Sequence, residues 1–174
     1  FFKLNRHQNH LKLFFTNPEN GVPSLIYEEQ DSCYIDIHDN ITFLENGFIW
    51  SSEKSGYNHL YKFSYDSKKM SQITSGEFEV TKFYGIDNNK KVLYFQSNEK
   101  SPLQKHIYSI NINGSNKKLL SKYNGVNNAV FSNSFDYFIN TNSKANKPNY
   151  ITLNNKKGKL IRIIKDSEKL QKTL

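Results

Sequence analysis

The sequence predicts an all-β protein: a β-propeller fragment of about four four-stranded antiparallel blades, with a short C-terminal helix or linker. Three observations predict it. The 174 residues include 11 Tyr and 13 Phe while Ala is scarce, a composition that suits pleated, half-buried strands. Short runs with period-2 character recur along the chain, separated by Asn-, Ser- and Gly-rich turns. A hairpin also repeats. FIWSSEKSGYNHLYKF (48–63) returns as LYFQSNEKSPLQKHIYSI (93–110) and, in worn form, as YFINTNSKANKPNYITL (137–153). Trp50 and Phe95 lie 45 residues apart, Glu53-Lys54-Ser55 and Glu99-Lys100-Ser101 lie 46 apart, and His59-Leu60-Tyr61 and His106-Ile107-Tyr108 lie 47 apart. The spacing drifts only inside the loop, so the strands are the repeated unit. Four strands in about 45 residues is the size of a propeller blade.

In chain order, HLKLFF (10–15) and SLIYEE (24–29) read as strands around the turn NPENG, and YIDI (34–37) reads as a further strand. GFIWSS (47–52) and HLYKFSY (59–65) form the first copy of the hairpin, and the turn YDSKK leads to KKMSQITS (68–75). GEFEVTKFYGID carries the chain to VLYFQS (92–97) and HIYSINI (106–112), and the turn NING leads to NKKLLSKY (116–123). NGVNNAVFSN then leads to DYFINT (136–141), NYITLN (149–154) and, past NNKKG, KLIRII (159–164). Only DSEKLQKTL has a helical pattern, with Asp166 or Ser167 as its cap and Leu170 and Leu174 one turn apart. Residues 1–165 are thus a partial propeller, three recognisable blades plus part of a fourth at the N-terminus, and 166–174 a linker.

The net charge is +8 with a pI near 9.4, but the cations are nearly all Lys, with Arg only at Arg6 and Arg162. Arg is the better fork for phosphates and bases, and no nucleic-acid-binding fingerprint appears, so the charge reads as a solvated surface and no nucleic-acid partner is expected. One cysteine, Cys33, allows no internal disulfide. No apolar run is long enough to span a membrane, no signal-peptide pattern is present, and the opening FFKLNRHQNHLKLFF reads as the middle of a fold.

Each candidate site has a plainer structural reading. Ser51, Ser52 and Ser55 lie around a hairpin without a G-x-S-x-G elbow. A triad of Ser55, Glu53 and His59 fits poorly, because the second copy keeps all three residue types yet inserts Pro102 and lengthens the loop, and a triad tolerates only small displacements. His59 and His106 each start a strand, where a half-buried, hydrogen-bonded ring is expected. His7 and His10 form H-x-x-H, but on a strand they would face opposite ways and no third ligand is near, so no metal and no cofactor is expected. Cys33 has His38 nearby but no cysteine-protease signature, and reads as a packed thiol. Glu28-Glu29 is a paired carboxylate of the kind that holds an ammonium group, set against a strand end running into a loop.

The stretch W-S-S-E-K-S-G-Y-N-H-L-Y (50–61), followed by Q-I-T-S-G-E-F-E-V (72–80), resembles the propeller of the dipeptidyl peptidase IV family, with Phe78 in place of the usual Trp. LYFQSNEKSPLQKHIYSI is similar to that family's next blade, NNAVFSNSFDYFINTNSKANKPNYITL to its last, and LNRHQNHLKLFF to the strand with its Arg-x-Gln-Asn pattern. KDSEKLQKTL resembles the link out of the propeller. The resemblance is collinear over essentially the whole chain, and bacterial members look nearer than animal ones, whose cysteine-rich insertions are missing.

The resemblance implies the C-terminal half of a propeller whose partner is an α/β-hydrolase domain. That domain supplies Ser, Asp and His, releases N-terminal dipeptides from peptide substrates and would begin beyond Leu174, so this chain is expected to carry no catalytic residue. It further implies a periplasmic or extracellular location. The family binds the substrate ammonium with a Glu pair in an earlier blade, so Glu28-Glu29 reads as a decoy. Tyr34 and Asp36 fall near a segment that borders the pocket for the residue before the scissile one, and are the substrate-binding candidates. Self-association through exposed blade faces is a further expectation for an isolated part of a ring. The rival classes are a non-catalytic binding or scaffold propeller and a basic nucleic-acid binder.

Overall fold

The computed structural model describes residues 1–65 and 68–166. Among them it contains strands, turns and loops and no helix; the helix or linker expected at 166–174 lies, from Ser167 onward, outside the described residues. The chain forms two compact units, residues 1–71 and 72–174.

Unit 1 begins with a three-stranded antiparallel sheet of β1 (Phe2–Leu4), β2 (His10–Thr16) and β3 (Pro23–Gln30). A second sheet follows in the order β4 (Thr42–Leu44), β5 (Gly47–Ser52), β6 (His59–Ser64) and β7 (Lys69–Gln72). The hairpin FIWSSEKSGYNHLYKF supplies the two central strands, with Trp50 opposite Tyr61 and Ser52 opposite His59. β5 is buried along its whole length, which explains why its sequence reads as an apolar run rather than an alternating one. The core holds Leu11, Leu13, Ile35, Phe48, Trp50 and Phe63, and Phe48 and Phe63 stack at 4.9 Å between ring centroids.

Unit 2 contains two four-stranded antiparallel sheets. One is β8 (Val80–Asp87), β9 (Val92–Ser97), β10 (His106–Asn111) and β11 (Lys118–Leu119). The other is β12 (Val126–Phe131), β13 (Tyr137–Lys144), β14 (Lys147–Asn155) and β15 (Leu160–Lys165). Tyr94, Ile107 and Leu120 pack with Ala129 and Phe138 between them. Phe95 stands opposite Tyr108 just as Trp50 stands opposite Tyr61, so the repeat in the sequence is a repeat in register. An ion-pair chain ties the turns at the other end: Lys90 Nζ lies 2.9 Å from Asp87 and 3.7 Å from Asp136, which Lys156 meets at 2.7 Å.

The three four-stranded sheets and one three-stranded sheet match the expected blades, including the partial one at the N-terminus. YIDI (34–37) does not. It is a loop between β3 and β4 with no strand partner. Its alternation has another cause: Ile35 is a buried plug flanked by exposed Tyr34 and Asp36.

Candidate functional site

In unit 1 the ends of β3 and β5 meet. The Ser52 hydroxyl lies 2.9 and 2.8 Å from the two carboxylate oxygens of Glu29. The connection 31–41 and the hairpin loop 53–58 therefore leave from the same edge of the two sheets. The connection is pinned along its length. Asp31 N–H donates to Asn9 O (3.0 Å), Ile35 N–H to Gln8 O (2.8 Å), Trp50 Nε1–H to His38 O (2.6 Å), and Asn40 Nδ2 to Ser51 Oγ (2.7 Å). With Ile35 anchored in the core, Tyr34 (55% exposed), Asp36 and Ile37 turn to solvent, and Tyr57 is half exposed on the neighbouring hairpin. The two candidates, Tyr34 and Asp36, thus sit together on an immobilised, outward-facing loop. A phenol and a carboxylate presented this way offer binding contacts to a ligand.

The other candidates resolve into structure. Ser51 and Ser52 are buried, one bonded to Asn40 and the other to Glu29, and Ser55 Oγ accepts from the Tyr61 hydroxyl at 2.8 Å. His59 and His106 are the first residues of β6 and β10 and are fully rather than half buried. The His106 ring nitrogens lie 3.0 Å from Ser121 Oγ and 3.0 Å from Gln104 Oε1, and burial, with a contribution from Lys100, lowers its pKa. His7 lies in the turn between β1 and β2, and only His10 is on a strand. No metal-binding group of His, Cys, Asp or Glu occurs among the described residues. Cys33 is exposed, not packed, because its segment is a surface loop and not the start of a strand.

Glu28 and Glu29 part company, since successive strand residues point to opposite faces. Glu28 is outside, paired with His10 and with Lys12 (3.1 Å), which lower its pKa. Glu29 is inside, 8% exposed, and also accepts from the Tyr27 hydroxyl at 2.9 Å. The two carboxylates cannot converge on one ligand group. Burial and the Glu29 charge raise the Tyr27 pKa, burial raises that of Tyr61, and burial lowers that of Lys54 against the opposing pull of Glu29. Sequence reading missed this cluster because it joins two sheets, and no local motif links Glu29 to Ser52 and Lys54.

The family described as "Dipeptidyl peptidase IV (DPP IV) N-terminal region" matches residues 1–149. Human dipeptidyl peptidase 8 is 28% identical over 82% of this chain and 20% of its own length. A probable dipeptidyl-aminopeptidase B of Arthroderma gypseum is 35% identical over 43% of this chain and 8% of its own. Among solved structures, Porphyromonas gingivalis dipeptidyl peptidase 4 superposes with a TM-score of 0.87 at 35% identity, covering 98% of this chain and 25% of that one. A putative dipeptidyl aminopeptidase IV from Bacteroides ovatus gives 0.80 at 26%, covering 94% and 27%. The chain therefore spans about a fifth to a quarter of the relatives it matches along most of its length. With the family match covering residues 1–149 and the fold agreeing over 98% of the chain, the chain belongs to the dipeptidyl peptidase IV family, as part of its N-terminal propeller region.

Proposed function

We propose that this chain is the propeller portion of a serine-type dipeptidyl peptidase that releases N-terminal dipeptides, and that the propeller limits access to the active site. The observation that carries the reading is the collinear match to the N-terminal region of that family over residues 1–149. The nucleophile, acid and base belong to an α/β-hydrolase domain outside these 174 residues, so the chain alone is inert. Loop 31–41 carries Tyr34 and Asp36 toward the substrate side, where an aromatic face and a carboxylate help seat a peptide. Support for that role is their exposure on a loop fixed by Ile35 and Trp50. A periplasmic or extracellular location belongs to the same reading. So does a bacterial source, which fits the 35% identity to the Porphyromonas gingivalis structure against 28% to the human relative.

The test is hydrolysis of glycyl-prolyl-naphthylamide. The purified 174-residue chain is expected to give no turnover above buffer. The longer polypeptide that carries it is expected to cleave the substrate and to lose efficiency, chiefly through a raised KM, on Tyr34→Ala. Turnover by the chain alone contradicts the proposal. An inert long polypeptide without a hydrolase domain favours a non-catalytic scaffold instead.

A further inference from the structure

The buried edge of unit 1 holds a second constellation, on the inner side of the hairpin rather than on loop 31–41. The Lys54 ammonium stands 4.5 Å from the ring centre of Tyr61 and 5.7 Å from that of Tyr27. Both distances lie within the reach of a cation–π contact, about 6 Å. The Glu29 carboxylate is tied to the same turn, since the Ser52 hydroxyl that donates to it also accepts from Lys54 N–H at 3.1 Å, and its charge acts on Lys54. Two aromatic faces and a carboxylate are the parts of a cage for an ammonium group, and each part is held independently of Lys54. The Tyr61 hydroxyl is bonded to Ser55 Oγ (2.8 Å). Tyr27 is bonded to Glu29 (2.9 Å) and set edge-on to Trp50 at 5.9 Å. Glu29 is held by Ser52 as well. Only Lys54 is exposed, reaching in from the hairpin loop.

The cage is not a requirement of the blade. The repeated hairpin in unit 2 keeps the Lys and the Tyr, as Lys100 and Tyr108, but pairs its charges differently: Lys117 meets Glu99 and stands 5.0 Å from the ring centre of Phe78. The grouping of Tyr27, Tyr61 and Glu29 is therefore particular to unit 1. A buried carboxylate is costly unless it is hydrogen-bonded, and Glu29 accepts from the Ser52 and Tyr27 hydroxyls.

We infer that Tyr27, Tyr61 and Glu29 form a seat for an alkylammonium group, occupied in the free chain by Lys54 and open to an external ligand of that class when the Lys54 side chain swings out. The seat is distinct from Tyr34 and Asp36 and stands whether or not the chain belongs to an active peptidase.

The experiment uses the 174-residue chain with ring-labelled tyrosine, titrated with tetramethylammonium chloride at constant ionic strength, and with neutral tert-butanol as the control. In Lys54→Ala the Tyr27 and Tyr61 resonances are expected to shift saturably with tetramethylammonium and not with tert-butanol. In the unaltered chain the same shifts are expected to need about tenfold more ligand, because Lys54 competes. Tyr61→Leu added to Lys54→Ala is expected to abolish saturation. A folded Lys54→Ala chain with no saturable shift overturns the inference, as does binding that survives Tyr61→Leu. Trp50 fluorescence reports folding; if Lys54→Ala fails to fold, Lys54→Gln is titrated and read by the same criteria.

Discussion

Asn127 closes every hydrogen bond its side chain offers. Its amide donates to Lys105 O (3.0 Å) and Tyr123 O (2.8 Å), and its oxygen accepts from Asn140 and Asn142, both at 3.1 Å. This explains why the third hairpin looks worn. At the place of Trp50 and Phe95, 45 residues on, it carries Asn140, and the aromatic contact is replaced by an amide network centred on Asn127. Asn127→Ala takes their side-chain partner from Tyr123 O and the Asn140 amide, while Lys105 O keeps the backbone N–H of residue 127 and the Asn142 amide keeps Asn124 O, and is expected to lower stability by about 1–3 kcal/mol in urea unfolding. A loss under about 0.5 kcal/mol would contradict this role for the network. His106 makes the second prediction. Its folded pKa lies below the ordinary 6.5, so the unfolded chain takes up a proton more readily. Its contribution to stability is complete above the ordinary value and declines as pH falls below it. Between pH 7 and 5 the unfolding midpoint is expected to drop less in His106→Gln than in the unaltered chain; identical pH profiles would exclude His106 as the cause.

At the scale of elements, the strands legible in the sequence are those with local cause. β5, β6, β9 and β10 carry long apolar or alternating runs, recur at a fixed interval and are separated by turn residues. β1 and β4 have three residues each, too few to show a period, and exist because β2 and β5 offer them an edge. Loop 31–41 shows the opposite error: a single buried plug between exposed neighbours copies the pattern of a strand. Whether such a segment pairs is decided by its backbone partners, here Gln8 O and the Trp50 ring nitrogen, and the sequence does not display these. The candidate site was legible to the same degree. Tyr34 and Asp36 are two residues apart and share loop 31–41 by sequence alone, whereas Glu29, Ser52 and Lys54 come together only through sheet packing. Gly47 gives this scale its test. Its φ is +156°, and a Cβ there would lie 1.9 Å from Phe63 O on the adjacent strand. Gly47→Ala is expected to lower stability by more than about 2 kcal/mol, since the β5–β6 pairing must open to admit it. A chain with an unchanged melting temperature would show that the two strands have room to spare.

For the whole molecule, the sheets leave apolar surface uncovered. In unit 2, Val130 (71% exposed) stands opposite Ile139 on one face of the last sheet, with Tyr137 on the same face of β13. In unit 1, Phe1, Val22, Leu25 and Phe43 are exposed. Such faces seek partners. The isolated chain is expected to self-associate, seen as a mass in light scattering that rises with concentration, and Val130→Lys with Ile139→Lys is expected to reduce it. A monodisperse monomer at high concentration would contradict the expectation. The proposed function places the chemistry outside these residues, while Ser51, Ser52 and Ser55 serve the fold. The most direct measurement is active-site labelling: the longer polypeptide is treated with a fluorophosphonate, digested, and the modified serine identified by mass spectrometry. The expected result is a single adduct on a serine outside residues 1–174, coincident with loss of dipeptide release. An adduct on Ser51, Ser52 or Ser55 would contradict it.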